Sequence, residues 1–186
     1  MFKKVRIIDT VEVPPDKLGD VNKDLIKVLL QEKLEGRVDK SVGSIVSVTH
    51  VHSLEEGVVL PGYPGVYYPT DFDAITFDPA MQEVIDGTVV EVVEFGAFVG
   101  IGPIDGLLHV SQISDEYLSF NGENQQLAST ESGKSIKVDD PVRTRIVTKS
   151  IDERNPRESK IGLTAKQPGL GKHGWLKDKR EREADN

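Results

Sequence analysis

The chain has 186 residues, no cysteine, and 23 basic against 31 acidic side chains, for a net charge of −8. Zero cysteine excludes a disulfide scaffold, thiolate zinc centres and thiol catalysis, and fits a reducing, cytoplasmic setting. From residue 41 to residue 133 there is no Lys or Arg but there are fourteen Asp and Glu, so half of the chain repels phosphate.

Residues 2–13 alternate Phe2, Val5, Ile7, Val11 and Val13 with charged residues, which predicts a half-buried strand that Pro14-Pro15 stops. The start of the chain enters this strand pattern directly, unlike a signal peptide. No apolar run approaches the ~18 to 20 residues of a membrane span. Asp16 and Asp20 are candidate helix caps. Val21, Leu25, Ile26, Val28, Leu29, Leu30 and Leu34 then follow helical spacing, and Gly36 ends the helix as a glycine cap. A β-branched run over 43–54 predicts a strand, 57–60 a short extended piece, and Pro61-Gly62-Tyr63-Pro64-Gly65 a rigid tip. Segments 66–68 and 72–77 read as two further strands. Together these elements make a small open sheet with one main helix. Its uncovered face would leave apolar side chains wet unless the rest of the chain or a partner covers it.

Asp78-Pro79 marks a boundary. Beyond it lie five strand patterns: 84–93 with a bend at Gly87, 95–99, 104–110, 141–151 and 159–164. Residues 114–135 are polar and read as a long excursion. Five short strands in about 85 residues suggest a small barrel. The fold class is therefore α+β, with a sheet domain over 1–79, a five-stranded OB-fold barrel over 80–176 and a charged flexible tail over 177–186.

Among candidate sites, His50 and His52 share a strand face, but no third metal ligand stands at a useful spacing. No nucleophile motif, P-loop or dinucleotide fingerprint is present, so no cofactor is expected. The acidic pairs Glu55-Glu56, Asp115-Glu116 and Asp139-Asp140 fit solvated loops better than catalysis. Phe95 and Phe98 either fill the barrel or, with a bulge at Gly96, stack on bases beside His109. Arg143, Arg145 and Lys149 stand at even spacing and would share one strand face, forming an aromatic and basic groove if that strand neighbours the aromatic one.

Gly87-Thr88-Val89-Val90, Phe95-Gly96-Ala97-Phe98-Val99 and Asp105-Gly106-Leu107-Leu108-His109-Val110-Ser111 resemble the ribosomal-protein-S-one type of RNA-binding barrel, as do Val138–Ile146 and Ile161-Gly162-Leu163-Thr164. Glu12–Asp16, Gly57–Tyr68, Phe72–Phe77 and Gln167–Gly171 resemble the E-prime family of archaeal RNA polymerase stalk proteins, in order and over residues 1 to about 176. The resemblance implies a ribonucleoprotein-like first domain and a non-catalytic accessory role in a DNA-directed RNA polymerase, supporting open-complex formation, processivity and termination. It implies that the tip docks on the polymerase core and that a small helical partner, the F component of the stalk, makes a heterodimer with the chain. It also implies that Phe95, Phe98, His109, Arg143 and Arg145 meet nascent single-stranded RNA. The alternative is a translation or RNA-decay factor built on the same barrel.

Overall fold

The computed structural model describes residues 1–152 and 159–177. The tail expected over 177–186 lies outside the described residues except for Lys177. The chain divides into two compact units after Asp78.

The first unit runs β1 (Phe2–Val13), a 3-10 turn (Pro15–Asp20), α1 (Lys23–Leu34), β2 (Val38–Asp39), β3 (Gly43–Leu54), β4 (Val58–Val59) and β5 (Val66–Phe77). Its sheet has the order β1-β5-β3-β2, with β4 also on β5. α1 is capped by Asn22, whose Oδ1 accepts from Leu25 N at 2.9 Å, in place of the expected Asp16 or Asp20. Gly36 follows the helix with φ +79°, the left-handed position that glycine takes without strain. Ile26, Leu29 and Leu30 bury against Val11, Val13, Ile45, Val48, Val51, Phe72 and Ala74.

In β3 the inward residues Ile45, Val48 and Val51 come every third position. Three register shifts against β5 absorb the extra residues. β5 is a single strand, although its sequence reads as two segments around Pro69. The Pro69 carbonyl accepts from Glu55 N (3.0 Å), so its donor-less nitrogen faces the same side. There the β3 pairing has ended at Thr70 and the β4 pairing begins at Tyr67, so no ladder donor is missed. The sheet face opposite α1 is less apolar than expected. Lys4 pairs with Asp73 (2.8 Å) and Arg6 with Asp71 (2.8 Å), while Ile8 and Phe2 stand exposed.

The second unit runs β6 (Val84–Val93), β7 (Gly96–Gly100), β8 (Asp105–His109), β9 (Leu118–Asn121), β10 (Gln126–Ser129), β11 (Ser135–Lys137), β12 (Pro141–Ser150), β13 (Lys160–Thr164) and β14 (Gly171–Lys172). Strands β13-β8-β7-β6-β12 are hydrogen-bonded in that order, and β12 pairs back to β13, closing a five-stranded barrel of the OB type. Val89, Ala97, Val99, Leu108, Val142, Ile146, Ile161 and Leu163 fill it. The bulge on β6 falls between Val89 and Glu91 rather than at Gly87. Gly87 is instead a close approach, where a Cβ would come within 2.7 Å of the Val99 side chain.

The polar excursion over 114–135 is ordered as a three-stranded antiparallel sheet, β11-β10-β9, inserted between barrel strands. Each of its strands has a single buried apolar residue, Leu118, Leu127 or Ile136, which hides the strand pattern in the sequence.

Candidate nucleic-acid interface

β7 sends Ala97 and Val99 into the barrel, so alternation turns Phe98 outward. Phe95 sits in the turn just before β7, half exposed at 51 %, and its ring meets that of Phe98 edge to face (centroids 6.3 Å apart, 86°). Both rings therefore lie together outside the core. Gly96 makes this possible: a Cβ there would collide with the Leu108 carbonyl and come within 2.9 Å of His109 Cα, so β8 can approach only a glycine. Val110 N donates to the Phe95 carbonyl (2.9 Å) and holds the turn.

Gly96→Val should destabilise the barrel by about 3 kcal/mol, because the obstacle is backbone that has no rotamer to change. A urea midpoint equal to that of the parent chain would show that β8 can give way.

His109 is exposed and pairs with Gly96 across the ladder, on the face that carries Phe98. Ser111 N donates to its Nδ1 (3.2 Å), with Ser111 Oγ at 2.8 Å. In the neutral ring Nδ1 is thus the acceptor and the proton sits on Nε2, a donor presented outward.

The basic residues are arranged differently from the sequence expectation. β12 neighbours β6, β13 and β14, and β6 separates it from β7, so the aromatic and basic strands are not adjacent. On its β6 side Phe98 faces Glu91 instead of a cation. Arg143 and Arg145 do share the outer face of β12, but a register shift between Ile146 and Thr148 sets Lys149 opposite Ile161, on the inward-facing parity. The Arg145 Nε is buried with no hydrogen-bond partner among the described residues.

Arg143 is engaged by the residue opposite it. Its Nε and Nη2 donate to Asp86 at 2.7 and 3.0 Å, and His173 Nε2 lies 3.1 Å from the same carboxylate. The Arg143 hydrogen bonds, with help from His173, lower the Asp86 carboxyl to about 2, so it stays ionised at neutral pH. Any phosphate must compete with Asp86 for Arg143. Asp86→Asn should therefore tighten RNA binding by about two- to fivefold, the worth of an exposed ion pair. The salt slope should steepen by about one ion. Unchanged affinity and slope in a salt titration would exclude Arg143 from the interface.

In the first unit, Tyr63 N donates to the Leu60 carbonyl (3.2 Å), closing a turn with Pro61 and Gly62 in the middle. Gly62 has φ +87°, as position three of a type II turn requires, and Pro61 presets position two. Pro64 and Gly65 complete the tip and return the chain to β5. Val58, Val59, Leu60 and Tyr63 are all exposed, and Tyr63 packs edge-on against Tyr67 (6.0 Å). The tip is thus stiff and presents bare apolar side chains to solvent.

Several of the other candidates have structural partners. The His50 and His52 rings meet edge to face at 4.8 Å, and His52 Nε2 lies 3.0 Å from Asp73. Asp140 is buried, accepting from Lys172 Nζ (2.7 Å) and Lys137 N (2.9 Å). Asp115 pairs with Lys166 and Glu116 with Lys134. Among the described residues no helix is long and apolar enough to cross a membrane.

Comparison with known proteins adds two family matches. Residues 8–64 match the SHS2 domain found in the N terminus of Rpb7p/Rpc25p/MJ0397, and residues 78–160 match the S1 RNA binding domain. The chain is 39 % identical over 178 residues to DNA-directed RNA polymerase subunit Rpo7 of Sulfolobus acidocaldarius, covering 95 % of both chains. Against Rpo7 of Saccharolobus solfataricus it is 33 % identical, covering 95 % of this chain and 97 % of the relative. A polyribonucleotide nucleotidyltransferase of Afipia carboxidovorans is 28 % identical over 163 residues, 86 % of this chain but 21 % of that protein.

Proposed function

This chain belongs to the Rpo7 family of DNA-directed RNA polymerase subunits, and on that premise we propose that it is a non-catalytic stalk subunit of an archaeal-type polymerase. Residues 61–65 dock it on the polymerase core, and the 80–176 barrel offers Phe95, Phe98, His109 and the β12 arginines to nascent single-stranded RNA. A small helical partner, the F component of the stalk, completes a heterodimer, and the complex works in the cytoplasm. By holding core and transcript together the chain supports open-complex formation, processivity and termination.

The observation that carries this reading is the pairing of two unlike surfaces in one chain: a rigid apolar tip in one unit and an outward aromatic pair in the other. Among the acidic pairs, Asp115, Glu116 and Asp140 are each committed to a lysine, which supports the non-catalytic role. Nucleotidyl transfer then belongs to other subunits. A role as an RNA-decay factor is weaker, because the likeness to the nucleotidyltransferase spans only 21 % of that protein.

The test is affinity purification of the tagged chain from native cells. Polymerase subunits and an equimolar small helical partner should co-purify; recovery of the chain without any polymerase subunit would overturn the assignment.

A further inference from the structure

Beside the aromatic platform, the inserted sheet and the barrel enclose a cleft of about 530 Å³, lined by Glu94, Ser111, Tyr117, Ser119 and Phe120. That is the size range of small-molecule sites. Tyr117 is 78 % exposed and Phe120 38 %, although Phe120 shares a strand face with the buried Leu118. The cleft joins the platform at two points. Glu94 adjoins Phe95, and Ser111 is the residue bonded to His109 Nδ1.

We infer that this cleft continues the RNA track, with Tyr117 and Phe120 stacking bases of single-stranded RNA beyond those held by Phe95 and Phe98. The inference rests on the RNA-binding reading above. Stacking uses the π-face that every base has and needs no cation at the ring. The local charges allow it. Glu116 is matched by Lys134 (2.8 Å) and also accepts from Ser129 Oγ (2.7 Å), and Asp115 is matched by Lys166 (3.0 Å). Glu94 is left as the carboxylate a phosphate must avoid, so the backbone passes on the solvent side while the bases turn inward. A basic protein segment would use Glu94 in the opposite sense, as an attraction, and this difference of sign separates the two occupants.

The experiment measures binding of the full chain to fluorescent oligouridylates of about 4 and about 12 nucleotides, the range of OB-fold site sizes. Tyr117→Ala and Phe120→Ala should each weaken the longer oligomer about fivefold or more, the lower end for one lost stack, and leave the shorter one unchanged. Glu94→Gln should tighten the longer oligomer. Equal effects on both lengths, no effect on either, or weaker binding by Glu94→Gln would overturn the extension while the platform stands. Loss of polymerase association with RNA binding intact would also overturn it, in favour of a protein contact. If the parent chain binds neither oligomer, the platform reading falls, and the extension with it.

Discussion

Val59→Asp combined with Tyr63→Asp should remove the chain from the polymerase core without unfolding it. Val59 is 69 % and Tyr63 61 % exposed, so both substitutions are tolerated in the free chain. In the proposed docking each new carboxylate would be stripped of water where an apolar ring or a β-branched side chain now stands, which is costly. Central residues of such contacts cost about 2 kcal/mol or more apiece, so the pair should weaken docking by about 4 kcal/mol, roughly a thousandfold. Loss of co-purification with an unchanged circular dichroism spectrum is the expected result. Retention at the parent level would show that the core is held through another surface. The Pro61-Gly62 turn matters as well, since a tip held in one shape has less freedom to lose in the proposed docking.

The second large effect concerns RNA. Phe95→Ala with Phe98→Ala should weaken RNA binding by about 2 kcal/mol or more, roughly thirtyfold, because two stacking faces vanish at about 1 kcal/mol or more each. The salt slope should stay where it was, since neither ring carries a charge that could neutralise a phosphate. This contrasts with Asp86→Asn, where the slope moves. The contrast follows from the barrel itself: the aromatic pair and Arg143 lie on strands that β6 keeps apart. Fluorescence anisotropy across a salt series reads both quantities. A loss of affinity with a flattened slope would mean that the rings position a cation instead of stacking on bases.

Much of this architecture is legible in the residues. The helix reads from its three- and four-residue spacing and its terminal glycine, the strands from β-branched runs, and the tip from its proline and glycine turn signals. These are local properties, set by neighbours within a few positions in the chain. The family resemblance also lay in short contiguous motifs, and the Rpo7 relatives bear it out over 95 % of the chain.

The candidate site was only half legible. The residue types were visible, but spacing alone left Phe95 and Phe98 open between core and surface. Ladder register and the tight approach of β8 at Gly96 put them outside. Even spacing placed Lys149 with Arg143 and Arg145, and a single shift after Ile146 moved it to the other parity. The basic strand reads as a possible neighbour of the aromatic one until the sheet order places β6 between them. The 114–135 segment looks like loop because its buried apolar anchors, Leu118 and Leu127, meet each other and Ile136 just beyond it only across strands.

The long stretch without Lys or Arg has the same character. By itself the sequence determined that cations are missing from the tip and from the aromatic strands. Only the tertiary structure decided that Arg143, on the outer face of β12, is already held by Asp86, and that Glu91 faces Phe98. Element type depends on short-range periodicity and turn chemistry, whereas strand order, register and charge pairing depend on residues far apart in the chain, such as Asp86 and Arg143, and are settled only when the barrel closes.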